Sequence, residues 1–253
     1  MTAAPTHTAV SADGTEIVGR VRGQCPPLVL VHAPPHDGDI AWEQLLPLLT
    51  DRFTCHMPSL RGRGSSGDHP GDSPPRSHFQ EDVTGYVDSI GEPVYVMGWS
   101  DGGSLALGAA AASDAVAAVA TFEPGAWALM REEDLARLGA AMHQQSEATA
   151  DGRLLDAAHI FHRFVCNDEE LSALRPDYLD RQARLSPLIV QELQYGMSDE
   201  GPQPTDPGVL ARIHAPLLVM LVQRTRLATW FTDSAQHVAH HAPDARIREL
   251  PEV

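Results

Sequence analysis

The chain has 253 residues, 43% of them apolar, which is enough for one sizeable core or one core carrying an insertion. Its formal charge is −16, and a surface that acidic repels phosphate backbones and anionic lipid, which argues against nucleic acid or membrane partners. All 18 basic residues are arginine, so Schiff-base chemistry and lysine-based phosphate binding are excluded.

Residues 6–11 and 16–22 are predicted as two strands of a hairpin turning at Ala12-Asp13-Gly14. Short continuous apolar runs follow at 28–32, 53–57, 93–97, 116–122 and 216–222, each bounded by turn signals. Such runs fit strands buried on both faces. Helical patterns lie between them at 41–49, 78–90, 101–113 and 229–241, and 243–250 is one more expected strand. This alternation predicts an α/β fold with a mostly parallel sheet and helices on both faces. The segment 62–76 is rich in Gly, Ser and Pro and is expected to be a long surface loop. Helical periodicity at 131–146, 152–165 and 178–196, without a convincing strand, predicts a helical lid insertion. The expected organisation is a core of 1–124 and 206–253 with a lid of 125–205, rejoined through the Pro-rich stretch 201–207.

Cys25, Cys55 and Cys166 are odd in number, widely spaced and in no metal-type pair. Free thiols in a reducing, cytoplasmic compartment are expected, with no metal site. No segment reaches the ~18 apolar residues of a membrane span, and the N-terminus shows neither the basic nor the apolar region of a secretory signal.

The strongest chemical signal is Gly98-Trp99-Ser100-Asp101-Gly102-Gly103, which follows the apolar run 93–97 and precedes an Ala/Leu-rich helix. A G-x-S-x-G between strand and helix makes a sharp turn that holds the serine hydroxyl at the carboxyl end of the sheet. The first amides of the next helix point at the same spot and favour developing negative charge. Ser100 is therefore the expected nucleophile, with the amide of Asp101 as oxyanion donor. Trp99 is open to two roles, lining a pocket or packing in the core; Trp127 is likewise open, and Trp42 is expected to pack on the first helix.

On these residues the chain resembles the α/β-hydrolase superfamily. His32-Ala33-Pro34-Pro35 followed by Trp42 resembles the HGxP…W segment after the third strand, and Phe53 to Gly64 resembles the loop that usually reads proline-aspartate-leucine-arginine-glycine. GWSDGG is similar to the elbow of valacyclovir hydrolase, of biphenyl hydrolase-like proteins and of many small esterases. The resemblance implies an acid and a histidine besides the serine. Thr225 stands where the aspartate after the seventh sheet strand would be, and Asp233 lies too far along. Some branches carry the acid after the sixth strand, which makes Glu123 the expected acid. The family histidine belongs after the last strand, where the chain reads Leu250-Pro251-Glu252-Val253, so it is expected beyond Val253. His237, His240 and His241 are expected to form a solvated face, and His32 to be structural. The second oxyanion donor of the family would be the amide of Pro34, which has no N–H; the side chain of His36 is the candidate substitute.

The resemblance implies a serine hydrolase that cleaves an ester, thioester or lactone of a small organic molecule through an acyl-enzyme, without metal or cofactor. Pro34, Thr225 and the displaced histidine keep a second reading open: a non-hydrolytic relative, such as a cofactor-free lyase or cyclase or a binding protein. The expected partner is a small-molecule substrate, and a homodimer is left open.

Overall fold

The computed structural model describes residues 5–68, 75–175, 177–198, 201–222 and 224–251. Eight strands form one sheet: β1 (Thr6–Val10), β2 (Glu16–Arg22), β3 (Pro27–Val31), β4 (Thr54–Pro58), β5 (Val94–Trp99), β6 (Val116–Phe122), β7 (Leu217–Leu221) and β8 (Ala245–Glu249). Their order is β1-β2-β4-β3-β5-β6-β7-β8. The first two strands form an antiparallel hairpin and β2 pairs antiparallel with β4. Every other pairing is parallel. The period of two explains why β3 is apolar at every position: Val29 and Val31 join the large core cluster on one face, while Leu28 and Leu30 pack with Trp42, Cys55 and Met57 on the other.

The helices are α1 (Gly38–Ala41), α2 (Leu46–Leu49), α3 (Arg76–Ser89), α4 (Asp101–Ala112), α5 (Glu132–Ala150), α6 (Leu154–Val165), α7 (Asp168–Ala173), α8 (Tyr178–Ala183), α9 (Ser186–Ser198), α10 (Pro207–Leu210) and α11 (Ala228–His241). Six of them, α5 to α10, fall between β6 and β7. Of these, α5, α6 and α9 share an apolar cluster, which reaches the sheet through Leu227, Trp230 and Phe231.

Three sequence expectations are corrected. The single helix expected at 41–49 is two short ones: Asp37 caps the first through its carboxylate, and Pro47 starts the second because it cannot donate within a continuing helix. Trp42 thus ends α1 and is buried in the core. The helix expected at 178–196 is broken between α8 and α9, where Pro187 sits in a new first turn. An unforeseen helix, α7, is set by a capping box of Asn167 and Glu170. The segment 62–76 is not simply a surface loop, since Arg63 is buried alongside Arg61. Arg61 donates to Asp82 (Nε to Oδ2, 2.8 Å) and to Asp13 (Nη1 to Oδ2, 2.7 Å). Residues 69–74 of that segment lie outside the described residues.

Close backbone passage holds the site end of the sheet together. A Cβ on Gly102 would lie 2.4 Å from the carbonyl oxygens of both Val31 and His32. One on Gly98 would lie 2.2 Å from the carbonyl oxygen of Gly102. Neither neighbour is a flexible side chain, so Gly102→Ala is expected to destabilise the fold by about 3 kcal/mol, read as a lower urea midpoint. A loss under about 1 kcal/mol would show that β3 and α4 can separate.

Candidate active site

The site begins at the turn from β5 into α4. Ser100 holds φ 52° and ψ −125°, in the left-handed half of the backbone map. Its N–H donates to the carbonyl of Phe122 at 2.8 Å, and its own carbonyl accepts from Ser104 N–H at 3.2 Å. The left-handed φ turns the chain sharply between strand and helix, and the opening amides of α4 have no partner within the helix. The carboxylate of Asp101 accepts from Arg76 Nη2 on α3.

The second residue of the site is Glu123, just after β6. It also holds a positive φ, 49°; among the described residues other than glycine, Ser100 and Glu123 share this property. Its N–H donates to Met220 O at 2.8 Å, and its Oε1 accepts from Val222 N–H at 3.3 Å. The following loop is pinned by Ser104 Oγ donating to Gly125 O, Ala126 N–H donating to Ser234 Oγ and Trp230 Nε1 donating to Ala126 O. Burial, with the charge of Glu170 adding, pushes the Glu123 carboxyl up to about 7, against the lowering effect of the Val222 amide.

Ser100, Asp101, Trp99, Glu123, Pro34 and His36 all line one cavity of ≈ 270 Å³. The structure therefore brings together every residue that sequence reasoning placed at the site. Thr225 lines the same cavity, so the position after β7 faces the site without a carboxylate. The far wall belongs to the helical insertion, with Phe161, His162 and Phe164 from α6 and Tyr178 from α8. Trp99 takes both of its open roles, lining the cavity and packing on the Trp42 cluster. Trp127 lines the cavity and tilts against Trp230.

The loop after β3 is held from several sides. His32 is wholly buried; its Nδ1–H donates to Ala33 O at 2.9 Å and its Nε2 accepts from Leu60 N–H at 3.0 Å. Burial first, then the Arg63 charge, lowers this ring to about 3, so it is neutral and structural. Neither Pro34 nor Pro35 has an N–H to offer. Three ties run from this loop to the insertion. His36 Nε2 and Tyr178 Oη lie 2.5 Å apart. Arg63 donates to Pro34 O (Nη2, 2.9 Å) and pairs with Glu192 of α9. Arg184, after α8, pairs with Asp37 at 2.7 Å. The His36 ring also stands edge-on to Trp99, centroids 4.7 Å apart. Burial holds both His36 and His162 below the usual imidazole range, and each lowers further beside another histidine.

His241 stands edge-on to both His237 and His240 on α11, and none of the three lines the cavity. Asp233 pairs with Arg131 at 3.5 Å, away from it. Sequence reasoning missed Tyr178, His162 and Glu192, which sit on insertion helices about 60 to 90 residues from Ser100 with no local motif. The apolar stripe of α6 was the one available signal.

The chain matches the model of the "Alpha/beta hydrolase family" over residues 28–253. It is 30% identical over 220 residues to a pimeloyl-[acyl-carrier protein] methyl ester esterase of Stenotrophomonas maltophilia, covering 83% of this chain and 78% of that protein. Among solved structures it resembles an alpha/beta hydrolase from Sphaerobacter thermophilus, with TM-score 0.69, 27% identity and coverage of 97% and 93% of the two chains. A thermophilic esterase from Thermogutta terrifontis shares the fold at TM-score 0.73 and 22% identity, over 98% and 90%. These matches place the chain among enzymes of the hydrolase kind: it belongs to the alpha/beta hydrolase family.

Proposed function

We propose that this protein is a serine hydrolase that cleaves an ester, thioester or lactone of a small organic molecule. The observation that carries the reading is Ser100 at its left-handed turn, facing the same cavity as the buried carboxyl of Glu123. Ser100 Oγ attacks the substrate carbonyl and the Asp101 amide holds the developing oxyanion. The serine proton passes to a general base, whose charged form the carboxylate of Glu123 stabilises. That base then protonates the leaving group, and water releases the acyl group by the reverse path. A relative named as a methyl ester esterase supports the hydrolytic reading. We further propose a cytoplasmic setting, a small-molecule partner and no role for nucleic acid or membrane; among the described residues no helix is long and apolar enough to cross a membrane.

A specific observation favours a second reading, a non-hydrolytic member of the fold. Pro34 and Pro35 remove two amides from the oxyanion loop, and His36 is occupied by Tyr178. Loss of one oxyanion donor costs roughly 100- to 1000-fold in rate.

A fluorophosphonate probe separates the two readings. Stoichiometric labelling that disappears in Ser100→Ala is expected. A folded protein that stays unlabelled sinks the hydrolytic reading.

Glu123→Gln gives two opposed readouts. Hydrolysis of an aryl ester is expected to fall by about 100-fold or more, since the base loses its charged partner. Stability moves the other way. The carboxyl titrates near 7 in the fold against 4.5 when free, so native Glu123 ionises reluctantly. The resulting penalty is absent below about pH 4.5, grows as pH rises and is complete above about pH 7. The variant should therefore be more stable than the parent by about 3 kcal/mol at pH 8 and nearly equal at pH 4. Unfolding curves at the two pH values check this, and unchanged activity would remove Glu123 from the mechanism.

A further inference from the structure

The cavity at Ser100 carries a charge rule. Every side-chain cation this chain can form at neutral pH is an arginine or a protonated histidine, since it has 18 arginines and no lysine. All 18 arginines are among the described residues, and none lines the cavity. Three of those beside lining residues hold other groups. Arg63 holds Pro34 O and Glu192, and Arg76 holds Asp101. Arg226 donates to the Cys166 carbonyl at 2.8 Å and pairs with Asp168. The histidines that line the cavity, His36 and His162, are buried among aromatic rings and kept neutral there. The charged groups that do line it are carboxylates: Asp101, already paired, together with Glu123 and Glu170. The rest of the described wall is mostly apolar and aromatic, with the hydroxyls of Ser100, Thr225 and Tyr178 and the thiol of Cys166.

A carboxylate carried into such a space would lose its hydration and meet no counter-charge among the described residues, and Glu123 and Glu170, which have no ion-pair partner among those residues, would repel it. The positive end of α4 acts at Ser100 and fades within its first turn, so it serves the reacting carbonyl and not a distant group. We propose that the cavity selects uncharged esters and rejects esters that carry a carboxylate elsewhere in the molecule. This rests on the hydrolytic reading of the same site. One consequence follows for turnover: the carboxylate released by hydrolysis enters an environment that disfavours it, so product leaves readily.

The test compares 4-nitrophenyl methyl glutarate, which is neutral, with 4-nitrophenyl hydrogen glutarate, its anion at pH 8. Both are run on the wild-type protein in 0.5 M NaCl, which screens the general acidity of the surface and leaves the buried field in place. The neutral ester is expected to be about 100-fold better in kcat/KM. A ratio under about 10 would overturn the proposal, because a desolvated, unpaired carboxylate costs more than that. A third ester bearing a trimethylammonium group is included, and if it outran the neutral one tenfold the cavity would be a cation site and the proposal would fail. Binding of the same esters to Ser100→Ala keeps the two ideas apart. If the wild-type protein hydrolyses none of them yet Ser100→Ala still binds the neutral ester at least tenfold more tightly than the anion, charge selection stands and the hydrolytic reading falls. Equal binding overturns charge selection whatever the turnover.

Discussion

Two backbone hydrogen bonds carry the site. Ser100 and Glu123 both stand one residue past the end of a parallel strand, and both have a positive φ that L-residues avoid at a cost of about 1–2 kcal/mol each. Each is held there by its own N–H. Ser100 donates to Phe122 on the next strand, and Glu123 donates to Met220 on the strand after that, both at 2.8 Å. The sheet ladder thus runs one step beyond β5 and β6 and forces two strained residues to turn the same way. The carbonyl that anchors Ser100 belongs to the residue just before Glu123, so the two positions cannot move independently. Gly98 and Gly102 are the complementary concession, removing side chains where β3, β5 and α4 cross.

The sheet fixes Ser100 and Glu123, but it does not fix the loop after β3. That loop contains consecutive prolines at 34 and 35 and so has few amides with which to anchor itself. Its order comes from side chains: Arg63 on the Pro34 carbonyl, Tyr178 on His36, Arg184 on Asp37. Two of these ties come directly from α8 or its end, and the first is completed by Glu192 of α9. The insertion therefore does more than roof the cavity. It supplies the forces that place the loop beside Ser100, and a shift of α8 would be felt there through packed and hydrogen-bonded groups.

The layout of strands was legible because burial on both faces leaves continuous apolar runs that no surface element mimics. Ser100 was legible because its flanks, strand before and helix after, give the Gly-x-Ser-x-Gly pattern a mechanical meaning. The place of Glu123 beside the cavity was legible because the resemblance to branches with an acid after the sixth strand pointed to the end of the run 116–122. The misses have a different cause. The break between α1 and α2 turned on Pro47, whose ring fits a first turn as readily as it ends a helix. Arg63 lay in a stretch whose composition signals solvent, and its burial depends on Glu192, 129 residues later. Tyr178 meets His36 across 142 residues. Contacts of that separation leave no trace in local periodicity.

The treatment of buried charge in this chain separates structure from function. Arg61 is buried with two carboxylates, Asp82 and Asp13, and with Ser11 Oγ within 3.3 Å. Its charge is answered by opposite charge, as expected of a group kept for stability. Glu123 is buried almost as well, yet among the described residues its carboxylate accepts from a single backbone amide at 3.3 Å, and the charge of Glu170 acting on it is of the same sign. A chain that could satisfy Arg61 so fully had the means to pair or replace Glu123. Retaining an unpaired carboxyl at a strained backbone position, facing a cavity shared with Ser100, lowers stability at neutral pH and creates a group that titrates near 7. Such a group suits proton management better than packing.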